Sequence, residues 1–237
     1  MYKGEQGKAD NPHRVSIAGR EIEVYSTKTP DSPVIYLNTF EKEGAAVHQA
    51  LRESGCAGFT LAVVSGLSWQ HDMSPWPIPP FTEKEIPCTG GADAYLQILT
   101  KQILPAVEQR VPGTVSWRGL AGYSLAGLFA LYALYQTESF TRTASISGSL
   151  WYPAFQDYVF SHKMTAAPEA VYFSLGDKES RTRNPRMKTV RACTEEIEAF
   201  YRGKSIATVY ELNPGNHFQD VVQRTAAGIA WLLGVCS

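Results

Sequence analysis

Short apolar runs alternate with amphipathic stretches almost from end to end of this chain, and each kind predicts a different element. The segment VSIAGREIEVYST at 15–27 breaks at Ala18-Gly19 and predicts an antiparallel hairpin at a sheet edge. VIYLNTF at 34–40 and FTLAVVSG at 59–66 are short, β-branched runs that predict buried strands, with a helix at about 44–54 between them. Over about 91–110, Leu96, Leu99, Ile103 and Val107 fall on one helical face, and Pro105 is a candidate kink. Apolar runs just before residue 124, at 143–150, at 170–175 and at about 207–212 predict four more strands. Helices are predicted after 124, near 153–163, at about 185–203 and after 217. Strand and helix in alternation predict an α/β fold, a mostly parallel central sheet with helices on both faces. Its 237 residues show no repeat, low-complexity tract or linker, so residues 1–237 read as a single domain.

The exception to the pattern is 67–90, which carries no regular period and is long for a loop in a compact domain. It holds Trp69, His71, Asp72, Trp76 and Phe81 among five prolines. One reading makes it a wall of a substrate pocket, with Trp69 and Trp76 offering ring faces to an aryl group. The other makes it a cover over the sheet edge.

The chemistry concentrates at 115–139, VSWRGLAGYSLAGLFALYALYQTES. An apolar strand runs into Gly122-Tyr123-Ser124-Leu125-Ala126-Gly127 and on into an apolar helix, the pattern of a nucleophile elbow. Small residues are required two before and two after such a serine, and Gly122 and Ala126 supply them. Glycine is the more frequent residue at the second position, so Ala126 is a slight departure. Gly127 would let the new helix approach the sheet closely. The competing role for Ser124 is an ordinary helix cap.

A nucleophilic serine needs a base and an acid, which in an α/β-hydrolase follow it in the order acid, then histidine. Of the five histidines only His217 lies in a late loop, after the turn Asn213-Pro214-Gly215-Asn216 and before a terminal helix. Its alternative role is to cap that helix. The acid should follow a strand between these points, and AVYFSLGDKES offers Asp177 and Glu179. A carboxylate three residues after the strand-ending glycine is frequent in this order, which favours Glu179 over Asp177. Trp151 and Tyr152, at the carboxyl end of the strand after the elbow, are candidates for the pocket or for the core. The first oxyanion donor would be the backbone N–H of Leu125, at the start of the helix.

These segments, with SISGSLWYP at 145–153 and SLGDKESRTRNPRM at 174–187, resemble the putative-esterase family of α/β-hydrolases, nearest its siderophore-esterase branch. The resemblance covers most of the chain from about residue 15. It implies an α/β-hydrolase fold and a serine carboxylic-ester hydrolase with a Ser124–Glu179–His217 triad working through an acyl-enzyme. It also implies a second oxyanion amide after VIYLNTF, at Thr39 or Phe40. Within the family, siderophore esterases point to the ester bonds of a catecholate siderophore. Lys178, Arg181, Arg183, Arg186 and Lys188 then suggest attraction of an anionic substrate, with Arg181 and Arg183 as binding residues. The bland role for that cluster is a solvated loop. The amino-terminal β-rich domain of some enterochelin esterases has no counterpart in this sequence. Other members of the family offer a general small-acyl, feruloyl or thioester esterase, like S-formylglutathione hydrolase. A non-catalytic binding protein on the same scaffold is the alternative from another class.

Composition narrows the setting. The chain is 44% hydrophobic and 19% charged with a net charge of −1, which gives nucleic-acid binding no support. The polar start MYKGEQGKADNPHR lacks the apolar core of a signal peptide, and no apolar run is long enough for a membrane span. Four cysteines, Cys56, Cys88, Cys193 and Cys236, show no CxxC pair and read as reduced thiols of a cytoplasmic protein. No His, Asp or Glu group has ligand spacing, so neither metal nor cofactor is expected, and a small-molecule ester is the expected partner.

Overall fold

The computed structural model describes residues 11–80 and 86–234. Phe81 of the aromatic loop and Cys236 lie outside them. The hairpin comes first, β1 His13–Ile17 and β2 Arg20–Tyr25, joined through Ala18 and Gly19. Both turn residues have positive φ, 49° and 78°, the geometry whose twist matches that of the two strands. Next are β3 Val34–Asn38, α1 Gly44–Glu53 and β4 Thr60–Ser65. The irregular stretch then contributes a single helical turn, α2 Trp69–Asp72, and a two-residue ribbon of β5 Pro77–Ile78 with β6 Cys88–Thr89.

The helix expected over 91–110 is one rod in three pieces, α3 Ala92–Ile98, a π-helical turn Leu99–Ile103 and α4 Leu104–Glu108. Pro105 explains the middle piece. It has no N–H to donate and its ring crowds the preceding turn, and the wider π turn accommodates both. Leu96, Leu99, Ile103 and Val107 are all buried, as their spacing predicts.

The second half alternates strictly: β7 Arg118–Tyr123, α5 Leu125–Ala133, β8 Arg142–Ile146, α6 Phe155–Ser161, β9 Ala170–Gly176, α7 Val190–Gly203, β10 Ala207–Asn213 and α8 Val221–Gly234. The eight-stranded sheet has the order β1-β2-β4-β3-β7-β8-β9-β10. Only the pairings of β2 with β1 and β4 are antiparallel. Helices cover both faces. Val47 and Leu51 of α1 join Ala226, Ile229 and Leu232 of α8 in one apolar cluster, while α3, α4, α5 and Tyr201 of α7 share the other.

The strand order positions the site. From β3 the chain moves outward to β4, whereas β7 and everything after it build away on the other side of β3. The helices that follow β3 and β7 therefore lie on opposite faces, α1 in one cluster and α5 in the other. Between the carboxyl ends of these two neighbouring strands a crevice opens, the place where open α/β sheets bind ligands.

Candidate active site

At that crevice Ser124 sits between β7 and α5 with φ 59° and ψ −123°. A side chain there costs roughly 1–3 kcal/mol of backbone strain, which the surrounding packing holds in place. Gly122 shows why the turn demands small residues: a Cβ on it would lie 2.5 Å from the backbone of Ala126. Gly127 would place a Cβ 3.0 Å from Gly122 O and from the Cα of Gly148. The departure to Ala126 fits, since that residue is wholly buried on the apolar helix.

Ser124 Oγ lies 3.0 Å from His217 Nε2, and His217 Nδ1 lies 2.7 Å from Glu179 Oε2. The three side chains thus form one hydrogen-bonded line, drawn from the ends of β7, β9 and β10. Asp177 has a different role. Its Oδ1 accepts the N–H of Gly215 and so ties the acid loop to the histidine loop. Register explains why those loops meet. β9 and β10 run parallel with Gly176 opposite Asn213, so both loops leave the sheet at the same height.

Glu179 is nearly buried, its side chain 4% exposed. Burial pushes its carboxyl up. The bond and charge of His217, the Gly176 N–H and the Ser147 hydroxyl more than reverse this, leaving it below its ordinary 4.5. Its Oε1 accepts from Gly176 N at 2.6 Å and from Ser147 Oγ at 2.8 Å. Ser147 has a positive φ of 44° at the end of β8, which turns its hydroxyl to the acid.

Two backbone amides are expected beside Ser124. Leu125 opens α5, where a helix leaves its first N–H groups without an internal partner, and it lines the pocket. Of the pair after β3, Thr39 has its N–H already engaged. Its N–H donates to Val64 O at 2.9 Å and its hydroxyl leans on the same carbonyl at 3.2 Å. Among the described residues no hydrogen bond occupies the N–H of Phe40.

The pocket around this line has a volume of about 490 Å³. Trp151 lines it, as do Lys178 and Arg181 of the basic segment, with apolar walls from Ile78, Ile86, Met187, Val190 and Phe218. Three expected binding residues fall outside the lining. Trp76 packs among Tyr132, Tyr152, Phe155 and Tyr158 and donates its indole N–H to Pro153 O, because the loop folds inward as a core layer. Trp69 meets the ring of Phe40 edge-on at 5.2 Å. Arg183 is exposed on the loop, away from the cavity. Tyr152 belongs to the core, 2% exposed, its hydroxyl donating to Trp76 O.

Several contributors are not singled out in the sequence. Ser149 Oγ lies 3.4 Å from Ser124 Oγ, and Tyr123 donates its hydroxyl to His217 O at 2.8 Å. Arg224 lies 3.4 Å from Glu179 Oε1. The available signal for Arg224 is its isolation, as the lone charged residue in the apolar helix α8.

A strained serine at a strand–helix turn over a mostly parallel sheet defines an α/β-hydrolase. A family model described as "Putative esterase" matches residues 22–219, and the chain belongs to that family. It is accordingly an esterase. It is similar over 222 residues, at 22% identity and 89% of either chain, to YbbA, an uncharacterized protein of Bacillus subtilis. A 65-residue stretch, 27% of this chain and 22% of the relative, is 37% identical to a siderophore triacetylfusarinine C esterase of Aspergillus fumigatus. The structure of the siderophore hydrolase EstA from Aspergillus nidulans superposes with a TM-score of 0.75 at 20% identity, covering 100% of this chain and 99% of that one. Among the described residues no helix is long and apolar enough to cross a membrane.

The packing at the turn can be probed by substitution. Gly122→Ala should destabilise the fold by about 1–3 kcal/mol through overpacking, read as a lower midpoint in urea. Glu179 binds fewer protons folded than unfolded, so its contribution to stability is complete above its ordinary value. That contribution is lost as pH falls through the lower folded value. Glu179→Gln should therefore flatten the acid limb of stability against pH, measured by urea melts; an unchanged limb would contradict the assignment.

Proposed function

We propose that the protein hydrolyses carboxylic esters by a Ser124–His217–Glu179 triad, and that its substrate is an anionic aryl ester of the catecholate-siderophore type. The line of hydrogen bonds supports the first half. With Glu179 ionised, it accepts the Nδ1–H of His217, which leaves Nε2 as an acceptor for the Ser124 hydroxyl proton. As Ser124 Oγ attacks the ester carbonyl, His217 takes that proton and Glu179 stabilises the resulting imidazolium. The carbonyl oxygen becomes an oxyanion, with the N–H groups of Leu125 and Phe40 as its donors in this reading. Collapse of the intermediate breaks the ester C–O bond, and His217 returns the proton to the leaving alcohol. Water then attacks the acyl-enzyme with His217 again as base, releasing the acid and regenerating Ser124.

The single observation that carries the substrate is the composition of the pocket wall. Trp151, Met187, Phe218 and their neighbours offer apolar surface, while Lys178 and Arg181 supply positive charge. The lining's carboxylate, Glu179, is engaged by His217. Apolar walls with a cationic rim suit a flat ring that carries negative charge. A siderophore triacetylfusarinine C esterase and a siderophore hydrolase among the similar proteins support a siderophore substrate in general. The free thiols of Cys56, Cys88 and Cys193 support a reducing, cytoplasmic setting.

Product analysis tests this directly. The protein would be incubated with iron-loaded and iron-free catecholate trilactone, triacetylfusarinine C and simple nitrophenyl esters, with Ser124→Ala as the blank. Serine-dependent opening of the trilactone well ahead of the others is the expected result. Activity confined to nitrophenyl esters would keep the mechanism and discard the substrate. Arg181→Glu should lower kcat/KM for anionic esters about tenfold and leave neutral esters nearly unchanged. Phe40→Pro deletes one donor and should cost about 100- to 1000-fold in kcat; unchanged kcat would refute that donor.

A further inference from the structure

The loop that carries His217 has little regular structure to hold it. Residues 214–217 cross from β10 to the approach of α8, passing Gly215 at φ 104°. Their carbonyls are nonetheless fixed from behind. Arg224, one turn into α8, donates from Nη2 to Pro214 O at 2.8 Å and from Nη1 to Asn216 O at 3.1 Å. Tyr123, the residue before the nucleophile, donates to His217 O at 2.8 Å, and its oxygen lies 3.3 Å from the same Nη1. Ser147 Oγ and Glu179 Oε1 each lie 3.4 Å from that nitrogen. One guanidinium thus touches the ends of four strands.

The distances say which of these bonds dominates. The carbonyl bonds are the shorter ones, while Glu179 Oε1 already accepts two closer donors, Gly176 N and Ser147 Oγ. Arg224 is therefore first an anchor for the loop and only second a counter-charge for the acid. Its side chain is 2% exposed and its Nε has no partner among the described residues, so removing it alone strands the acceptors it serves and lowers stability as well, an effect the test must separate from positioning. A lysine would not reproduce the contact, because only the planar fork reaches two carbonyls at once.

We propose that Arg224 is a positioning residue: together with Tyr123 it clamps residues 214–217 so that the imidazole of His217 lands between Glu179 and Ser124. The proposal rests on the catalytic reading of that line. Arg224 touches neither substrate nor reacting atoms; it acts through the histidine.

The test uses the full chain with p-nitrophenyl acetate, active sites counted by fluorophosphonate titration and folding followed by circular dichroism. Arg224→Met, Arg224→Ala, Arg224→Lys, Tyr123→Phe and His217→Ala would be compared. A misplaced base costs rate rather than affinity, so Arg224→Met should lower kcat per titrated site about 100-fold with KM within about threefold. Arg224→Lys should recover only part of this, and free guanidinium should raise the kcat of Arg224→Ala. A kcat per site for Arg224→Met within about twofold of the parent, even with a lowered Tm, would make the arginine merely structural and overturn the proposal. If Arg224→Met does not fold, Tyr123→Phe decides: about tenfold lower kcat supports the clamp, and unchanged kcat sinks it. His217→Ala separates the two layers. Loss of activity there with a normal Arg224→Met removes the clamp alone, whereas an active His217→Ala removes the triad reading beneath it.

Discussion

The strained backbone of Ser124 is the constraint on which the rest of this molecule is arranged. Holding a serine at φ 59° requires a strand that ends rigidly and a helix that begins at once, with almost no volume between them. Gly122, Ala126 and Gly127 supply that absence of volume. The helix α5 is correspondingly buried along its whole length, apolar on every side, so that the turn has no freedom to relax. Ser124 is thus half-buried and held in place because everything adjacent to it is packed.

Around this fixed point the sheet delivers the other groups by geometry rather than by local sequence. The switch in strand order between β3 and β7 opens the crevice, and the carboxyl ends of β8, β9 and β10 bring Ser147, Glu179 and the His217 loop to its rim. Asn38 Nδ2, Asn213 Nδ2 and Arg224 Nε have no partner among the described residues, but several other polar groups that face inward there are matched with partners. Glu179 has four, Asp177 holds Gly215, and Tyr95 donates its hydroxyl to Asn38 just below the crevice. The bonds that do form favour a particular arrangement of loops, since a misplaced loop would strand further buried donors or acceptors.

The α/β architecture was legible because periodicity and strand length carry it, and the elbow because sterics permit few residues at its turn. Ser124 and His217 could be found from their neighbours, and the line through Glu179 from its distance to Gly176. What escaped was whatever depends on a distant partner. Thr39 and Phe40 are indistinguishable until Val64 O is seen to take one amide and leave the other. Trp76 reads as a pocket wall until β5 and β6 pair and turn its ring onto α6. Arg183 and Arg181 differ only in which way a loop faces. Arg224 looks like an interruption in an apolar helix until four strand ends converge on it.

The parallel pairing of β9 with β10 has a consequence for how such a protein can change. Strand pairing counts in whole residues, so the spacing between Glu179 and His217 is gauged by the ladder and not by the loops themselves. Part of the cavity wall comes from elsewhere, the ribbon of β5 and β6, while Lys178, Arg181 and Phe218 share loops with Glu179 and His217. The ribbon wall and the paired loops are therefore separate parts of the chain. Insertions in the walls can retune which ester is accepted while the ruler beneath them keeps the same measure.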